Sequence, residues 1–362
     1  MRGGGHSNPP AADHRGDAGG NTDVGGGTDS LSSTELIHTA KLIHTAKLIY
    51  AATRINASAV DAILVAVVWQ TYLLATFGRP FAPDVDAAAS TWRRVGYAAS
   101  LAVAVWITYT ADRMADARFD AQPTTARHRW IAAHRRVIYI GLIVMALLLV
   151  LLLRITFSPV QWAMAAGLIV GIAVYYVIKS RLNAPSDASR HAVWRWMRRH
   201  RHMVCAAMVG SLFAGGVHLV VASQIANRLI VPVTLSWIAT SMVMAANVYV
   251  VQSLDLDDGT HRSDGGRLSS SISNAKRVVA DVTTVAVWLA LTLVLLMPHS
   301  LMSHLLMPGV TLIHSMVIAA SMLSLAAVAS RADRWPEPVA AVAADFAITL
   351  PPLVAWLMLH GG

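Results

Sequence analysis

Three aspartates at a spacing of four residues, Asp112, Asp116 and Asp120, follow an apolar stretch in the segment TYTADRMADARFD, residues 108–120. Residues four apart share one face of a helix, with Cβ atoms about 5–6 Å apart. Asp112 and Asp116 are therefore spaced to hold a divalent cation, which would relieve the repulsion between their charges. Mg²⁺ suits such a pair, because it takes oxygen ligands and completes its shell with water and substrate phosphate. The alternative is that these acids are solvated charges.

A second acidic group lies in NVYVVQSLDLDDGTHRSDGG, residues 247–266, and contains Asp255, Asp257 and Asp258. Like the first group, it follows an apolar segment, and both segments end at the same predicted membrane face. Two acidic groups on one face favour a common cation site over two unrelated sets of solvated charges.

The composition indicates the class of protein that must position these acids. The chain has 362 residues, of which 55% are hydrophobic and 14% are charged, and its mean hydropathy is +0.52. Soluble domains carry about 25% charged residues, so we predict a membrane protein. The net charge of +9 comes from basic residues between apolar segments, which favours membrane lipids and not nucleic acid as the partner.

The apolar segments predict an all-α integral membrane protein with nine spans, each near the roughly 17–25 residues that cross a bilayer: 57–78, 95–111, 137–153, 159–178, 204–222, 229–250, 278–297, 309–329 and 338–359. Residues 1–33, rich in Gly, Asp and Asn, are predicted to be a disordered tail, 34–56 an interfacial helix, and 57–360 the transmembrane domain. Most Lys and Arg residues fall before the first span and after the even-numbered spans. The positive-inside rule then places the N-terminus and both acidic loops in the cytoplasm, with the bundle in a plasma or inner membrane.

The arrangement resembles the UbiA family of membrane prenyltransferases, whose members have nine helices and two Asp-rich motifs in the cytoplasmic loops after helices two and six. The family's first motif reads N-x-x-x-D-x-x-x-D. This chain has Thr108 in the place of the Asn, followed by Asp112, Arg113 and Asp116. The second motif is matched more loosely, since Val251 stands four residues before Asp255, where the family has an acid.

The resemblance implies a nine-transmembrane-helix bundle of the UbiA prenyltransferase type that moves an isoprenyl group from an isoprenyl diphosphate to an aromatic or lipid acceptor, assisted by Mg²⁺. It also implies which residues would act. Asp112 and Asp116 would bind one Mg²⁺, and Asp255 and Asp258 another. The substrate-binding candidates are Thr108, Arg113, Arg127, His128, Arg129, Asn247, Tyr249 and Asp257. Aromatic side chains near the same ends of the spans, among them Tyr175 and Tyr176, would line a chamber for the allylic cation or serve as interface anchors.

Three alternatives stay open at this point. The first is a non-catalytic member of the fold that binds a polyprenyl lipid, the second is a transporter, and the third is a CDP-alcohol phosphotransferase. The last alternative rests on Asp255-x-x-Asp258-Gly259, but Arg262 and Ser263 stand where that motif has Ala and Arg. A transporter usually shows broken helices and charges at the membrane midplane.

Several polar residues inside or beside the spans receive separate interpretations. Asp345 lies within the ninth span and is a functional candidate by default, because ionisable residues in membranes are costly. Asp61 begins its span, where the helix dipole alone favours an acid. His218 and His314 are predicted to be neutral core histidines, and the basic segment at 190–202 to contact lipid headgroups.

Overall fold

The computed structural model describes residues 47, 59–77, 87–119, 133–183, 192–223, 230–260, 280, 308–335 and 337–361. Within them the chain forms nine α-helices and a short 3₁₀ turn, and no strand occurs in these ranges. The helices are α1 (Val60–Phe77), α2 (Ala87–Phe119), α3 (Arg135–Thr156), α4 (Pro159–Asn183), α5 (Ala192–Arg199), α6 (Arg201–Ser223), α7 (Ile230–Thr260), α8 (Pro308–Arg331) and α9 (Glu337–Gly361). All of them belong to one unit, residues 46–362. The predicted tail at 1–33 lies outside the described residues, and so does the predicted interfacial helix at 34–56, except for Lys47.

Seven of these helices, α1, α3, α4, α6, α7, α8 and α9, are long and apolar enough to cross a membrane. They coincide with seven of the predicted spans, which confirms an all-helical membrane protein at that level. The second predicted span, 95–111, lies within α2, whose Tyr, Ser and Thr side chains lower its hydropathy, and α2 is not among the seven. The seventh predicted span, 278–297, lies outside the described residues apart from Ala280, so the count of nine spans stays a prediction.

The exposed surface of α3 and α4 is apolar, as expected of helices that face lipid. In the apolar membrane-spanning stretch of each of these two helices, only 11% of the residues are buried, whereas 56% are buried in the corresponding stretch of α1. Large side chains such as Ile140, Leu147 and Ile169 are more than half exposed. Monomeric soluble proteins rarely expose contiguous apolar surface on this scale, so the hydrocarbon of a bilayer is the fitting solvent for this face.

The core lies among α1, α6, α7, α8 and α9, and its largest fully buried side chains include Trp69, Tyr72, Ile318 and Met322. The most extensive helix pair is α6 with α7, and it is tightest at Gly210. A Cβ atom at this position would lie 2.5 Å from the Ala245 backbone nitrogen and 2.7 Å from the Ser241 carbonyl oxygen. Small residues allow helix backbones to approach this closely. The resulting van der Waals packing stabilises helix pairs in lipid, where the hydrophobic effect does not drive helices together.

Two prolines in α9 release backbone carbonyls inside the bundle. Pro352 has no N–H to donate to the carbonyl of Ile348, four residues earlier. The Trp69 indole on α1 donates to that carbonyl instead, at 3.0 Å. Backbone groups at membrane depth must be satisfied within the protein, so the proline in α9 and the tryptophan in α1 act together to join the two helices.

A chain of hydrogen bonds links α1, α8, α7 and α6 through two histidines that are each 2% exposed. His218 Nδ1 faces the Ala214 carbonyl at 2.8 Å, and its Nε2 is 2.9 Å from the Ser236 hydroxyl. Ser236 is 2.8 Å from His314 Nε2, and His314 Nδ1 is 3.2 Å from the Tyr72 hydroxyl. Since a carbonyl only accepts, His218 donates from Nδ1, and the remaining donors then align in one direction when both rings are neutral. The prediction that His218 and His314 are buried core histidines is confirmed.

Candidate functional site

The two aspartates of the first motif lie one turn apart near the end of α2, and a lysine from α4 bridges them. Lys179 Nζ is 2.6 Å from Asp112 Oδ1 and 2.7 Å from Asp116 Oδ1. Lys179 is 11% exposed and each carboxylate is 26% exposed. We call these three residues the Asp–Lys cluster. The sequence predicts the pairing of the two acids, and the structure adds an ammonium between them.

Two tyrosines on α4 hold the Asp–Lys cluster in place. The Tyr175 hydroxyl donates to Asp112 Oδ1 at 2.9 Å, and the Tyr176 hydroxyl donates to the Thr108 carbonyl at 3.2 Å. Tyr175 is 2% exposed and lies one turn before Lys179, so both residues reach α2 from the same face of α4. These two tyrosines fasten α4 to α2 through hydrogen bonds, a role that differs from simple anchoring at a lipid interface.

The carboxyl groups of the Asp–Lys cluster are close enough to affect each other's charge. Burial raises the pKa of the Asp116 carboxyl above its ordinary value, the Asp112 charge acts in the same direction, and Lys179 opposes both. An added cation beside Asp116 would therefore stabilise its ionised carboxylate, which Lys179 stabilises only in part.

Arg113 and Thr108 lie on α2 beside the cluster. Arg113 Nη2 donates to the Tyr109 hydroxyl at 3.1 Å, and its guanidinium carbon is 4.8 Å from the centre of the Tyr109 ring. The Thr108 hydroxyl donates to the Ala104 carbonyl, one turn earlier, at 2.9 Å. In the position where the UbiA family has an asparagine, this chain thus has a hydroxyl that bonds to its own helix.

A second group of polar residues joins α1, α7 and α9. Asn247 Nδ2 donates to Asp345 Oδ1 at 2.7 Å, and the carboxyl groups of Asp345 and Asp61 lie close enough to interact electrostatically. Asp61 and Asn247 are each 7% exposed. We call these residues the Asp61–Asp345–Asn247 cluster. Arg113 of α2 interacts electrostatically with the carboxyl groups of both Asp61 and Asp345. The two clusters therefore lie at the same end of the bundle, where α2 and α4 end and α1 and α9 begin. We call this the acidic end.

The remaining predicted site residues are placed less fully. The backbone of α7 continues as helix to Thr260, but the side chains of Asp255, Asp257 and Asp258 lie outside what the structure describes. Arg127, His128 and Arg129 lie outside the described residues, as does Asp120. Tyr249 lies on α7 and is partly buried, and Val251, in the place of the family's first acid, packs against the core.

Sequence reasoning missed Lys179, and it found Asp61 and Asp345 only as separate residues. The signal for Lys179 was available: a lysine near the end of an apolar span, one turn after Tyr175, is costly in lipid and needs a partner. For Asp61 and Asp345 no spacing rule applies, because they lie in the first and last of the described transmembrane helices.

The described residues contain no group of three or more His, Cys, Asp or Glu side chains placed to hold a metal ion. A metal at the acidic end would therefore use two carboxylates and complete its shell with amide, water or phosphate oxygens, as Mg²⁺ commonly does. Comparison with protein-family models, with curated proteins and with solved structures found no match to this chain. The structure establishes an all-helical membrane bundle with two clusters of polar side chains at one end.

Proposed function

We propose that this chain is a membrane prenyltransferase of the UbiA type, which binds an isoprenyl diphosphate at the acidic end of the bundle. The observation that carries the proposal is the Asp–Lys cluster beside Arg113 in a bundle whose outer surface is apolar. A prenyl diphosphate has the same division, with a charged head and a hydrocarbon tail. The head would lie at the acidic end, and the tail would lie among the apolar helices.

In the proposed reaction the bond between the prenyl carbon and the diphosphate oxygen breaks, and a new bond forms to an aromatic or lipid acceptor, which loses a proton. The leaving diphosphate gathers negative charge, and preorganised cations stabilise it. Lys179 and Arg113 are the cationic side chains of the described residues nearest to the aspartate pair. Both would contact phosphate oxygens.

Mg²⁺ would supply further charge neutralisation on the diphosphate. Asp112 and Asp116 offer the carboxylate oxygens that it prefers, but the ammonium of Lys179 lies between them. We propose that Lys179 moves from the carboxylates to the diphosphate when the substrate arrives with Mg²⁺. The exchange keeps every charge paired before and after binding. Asp255 and Asp258 remain the proposed ligands of a second Mg²⁺, and we expect the acidic end to face the cytoplasm of a plasma or inner membrane.

Two other functions draw support from particular residues. The lysine between Asp112 and Asp116, together with Thr108 in the place of the motif asparagine, favours a non-catalytic member that binds polyprenyl lipids. The buried carboxyls of Asp61 and Asp345 favour an ion-coupled transporter, since such residues often mark ion pathways. Asp61 begins α1, and Asp345 lies in the first half of α9, so the pair lies towards the acidic end of the bundle, which favours a diphosphate site.

The test is binding of radiolabelled geranylgeranyl diphosphate to the detergent-purified protein, with and without Mg²⁺. We expect Mg²⁺-dependent binding that is lost when Asp112→Asn and Asp116→Asn are combined. Arg154→Gln is the matched control, because it removes an exposed charge from the far end of α3 and should leave binding unchanged.

Binding that ignores both Mg²⁺ and the aspartate substitutions would contradict the proposal. Release of diphosphate on addition of aromatic and lipid acceptors separates the enzyme from the non-catalytic alternative. Tight binding without such release, across a panel of acceptors, would support the lipid-binding function instead.

A further inference from the structure

A pocket lies between α1, α2 and α9 at the end of the bundle opposite the acidic end, where α1 and α9 end and α2 begins. Its volume is about 280 Å³, close to the lower limit of about 300 Å³ for small-molecule sites. Gln70 lines it and follows Asp61 on α1 by about 14 Å along the helix axis, at 1.5 Å per residue. The pocket is therefore separate from the proposed diphosphate site.

Gln70 is the most buried residue that lines the pocket. Its side chain is 2% exposed, and its Oε1 atom is buried and has no hydrogen-bond partner within the part of the chain that the structure describes. A buried acceptor without a donor is destabilising. A ligand in the pocket that carries a hydroxyl group would satisfy this oxygen.

Two further side chains of the pocket can also accept hydrogen bonds. The Thr71 hydroxyl donates to the Val67 carbonyl at 2.7 Å, which leaves the Thr71 oxygen able to accept. His360 Nδ1 lies 2.9 Å from the Trp356 carbonyl, and since a carbonyl only accepts, His360 donates from Nδ1. Its Nε2 then accepts when the ring is neutral. The polar side of the pocket is thus suited to a ligand with hydroxyl donors.

The same pocket also offers a positive charge and an apolar wall. Arg94 of α2 lines it and is exposed, and a guanidinium group is well suited to phosphate oxygens. Leu74 and the Trp356 ring supply apolar surface. On α9, Leu357 and Met358 follow Trp356 and are 54% and 75% exposed, so apolar surface continues beside the pocket, as suits contact with hydrocarbon chains.

We propose that this pocket binds the headgroup of an anionic phospholipid that carries hydroxyl groups, such as phosphatidylglycerol. The phosphate contacts Arg94, and the headgroup hydroxyls donate to Gln70 and Thr71. The acyl chains lie along the apolar surface beside the pocket. A free glycerol phosphate has the same polar groups but no hydrocarbon for that surface, which favours the lipid as the occupant.

The test is native mass spectrometry of the full-length, detergent-purified protein with phosphatidylglycerol, phosphatidylmethanol or phosphatidylcholine. Phosphatidylmethanol has the same charge as phosphatidylglycerol but no headgroup hydroxyl, and phosphatidylcholine has no net charge. We expect phosphatidylglycerol to bind most tightly and phosphatidylcholine least. Arg94→Gln should weaken binding of both anionic lipids about fivefold, as for one cation at a membrane surface. Arg93→Gln is the matched control, since Arg93 is equally exposed and does not line the pocket.

Gln70→Leu tests the hydroxyl contact separately from the charge. It replaces the unpaired acceptor by an apolar group of similar size and should therefore fold, which gel filtration would check. We expect it to remove the advantage of phosphatidylglycerol over phosphatidylmethanol, about fivefold for one hydrogen bond, and to leave phosphatidylmethanol binding unchanged.

Three results would overturn the proposal. They are phosphatidylglycerol binding no tighter than phosphatidylcholine, equal binding by the native and Arg94→Gln proteins, and a preference for phosphatidylglycerol that survives Gln70→Leu. Displacement of the lipid by an equal concentration of glycerol phosphate would overturn the choice of a lipid. These variants take no part in the diphosphate assay, so none of these outcomes decides the proposed function.

Discussion

Lys179→Met tests the Asp–Lys cluster directly, because it removes the cation and leaves both carboxylates. The ammonium of Lys179 lies 2.6 Å and 2.7 Å from oxygens of Asp112 and Asp116, so an incoming metal must displace two ion pairs. Hydrogen bonds to charged groups contribute about 1.5–3 kcal/mol each. The carboxylates are 26% exposed, and solvent screening lowers each contact to about 1 kcal/mol. The two contacts then oppose the metal by about 2 kcal/mol, or about 30-fold in affinity.

The assay for Lys179→Met is thermal unfolding in detergent, with EDTA or with excess Mg²⁺, combined with Mn²⁺ titration. We expect Lys179→Met to lower the unfolding temperature in EDTA, because two half-buried carboxylates are left without their cation. Mg²⁺ should restore that temperature. Lys179→Arg is the control, since it keeps a positive charge and should respond little to Mg²⁺.

A Lys179→Met protein that is indifferent to Mg²⁺ would refute the reasoning, because Asp112 and Asp116 would then not bind a metal even when nothing competes. An equal response to Mg²⁺ in the Lys179→Met and Lys179→Arg proteins would refute the other half, namely that the ammonium and the metal occupy the same place.

Two further predictions concern the packing that brings the acidic end together. Gly210→Ala should destabilise the bundle by about 1–3 kcal/mol, because backbone atoms of α7 lie within 2.8 Å of the new Cβ. Gly167→Ala is the control, because a Cβ there has no atom within 4 Å. Equal unfolding temperatures for the two variants would contradict the close approach of α6 and α7. Trp69→Phe should cost about 1–3 kcal/mol, because the Ile348 carbonyl loses its donor; Trp92→Phe, at a position 77% exposed, should cost far less, and chemical unfolding of both variants in detergent compares them.

The acids of the first motif were predictable because they are local. Asp112 and Asp116 lie on one helix, and helical periodicity alone places them on one face. Lys179 comes from another helix, and whether it reaches them depends on the rotation of α4 against α2. The hydrogen bonds of Tyr175 and Tyr176 set that rotation. No local pattern in the sequence encodes it.

The contacts of Asp345 could not be predicted from the sequence. As an ionisable residue inside an apolar span it could be named as a functional candidate, but its partners could not. Asp61 had a sufficient local explanation at a helix start, and Asn247 was assigned to substrate binding because of the family resemblance. Their meeting depends on how α1, α7 and α9 pack, and packing in lipid follows from small residues and buried polar bonds with no simple period.

The sequence alone determined the class of the protein and the seven described helices that are long and apolar enough to cross a membrane, because the cost of exposing polar groups to hydrocarbon acts on every residue of a span and accumulates along the chain. It also determined that one helix end carries two aligned carboxylates. Only the tertiary structure decided that a lysine lies between these carboxylates and that a second carboxyl pair lies at the same end of the bundle. These contacts join residues far apart in the chain, and they arise from the rotation and depth of each helix against its neighbours.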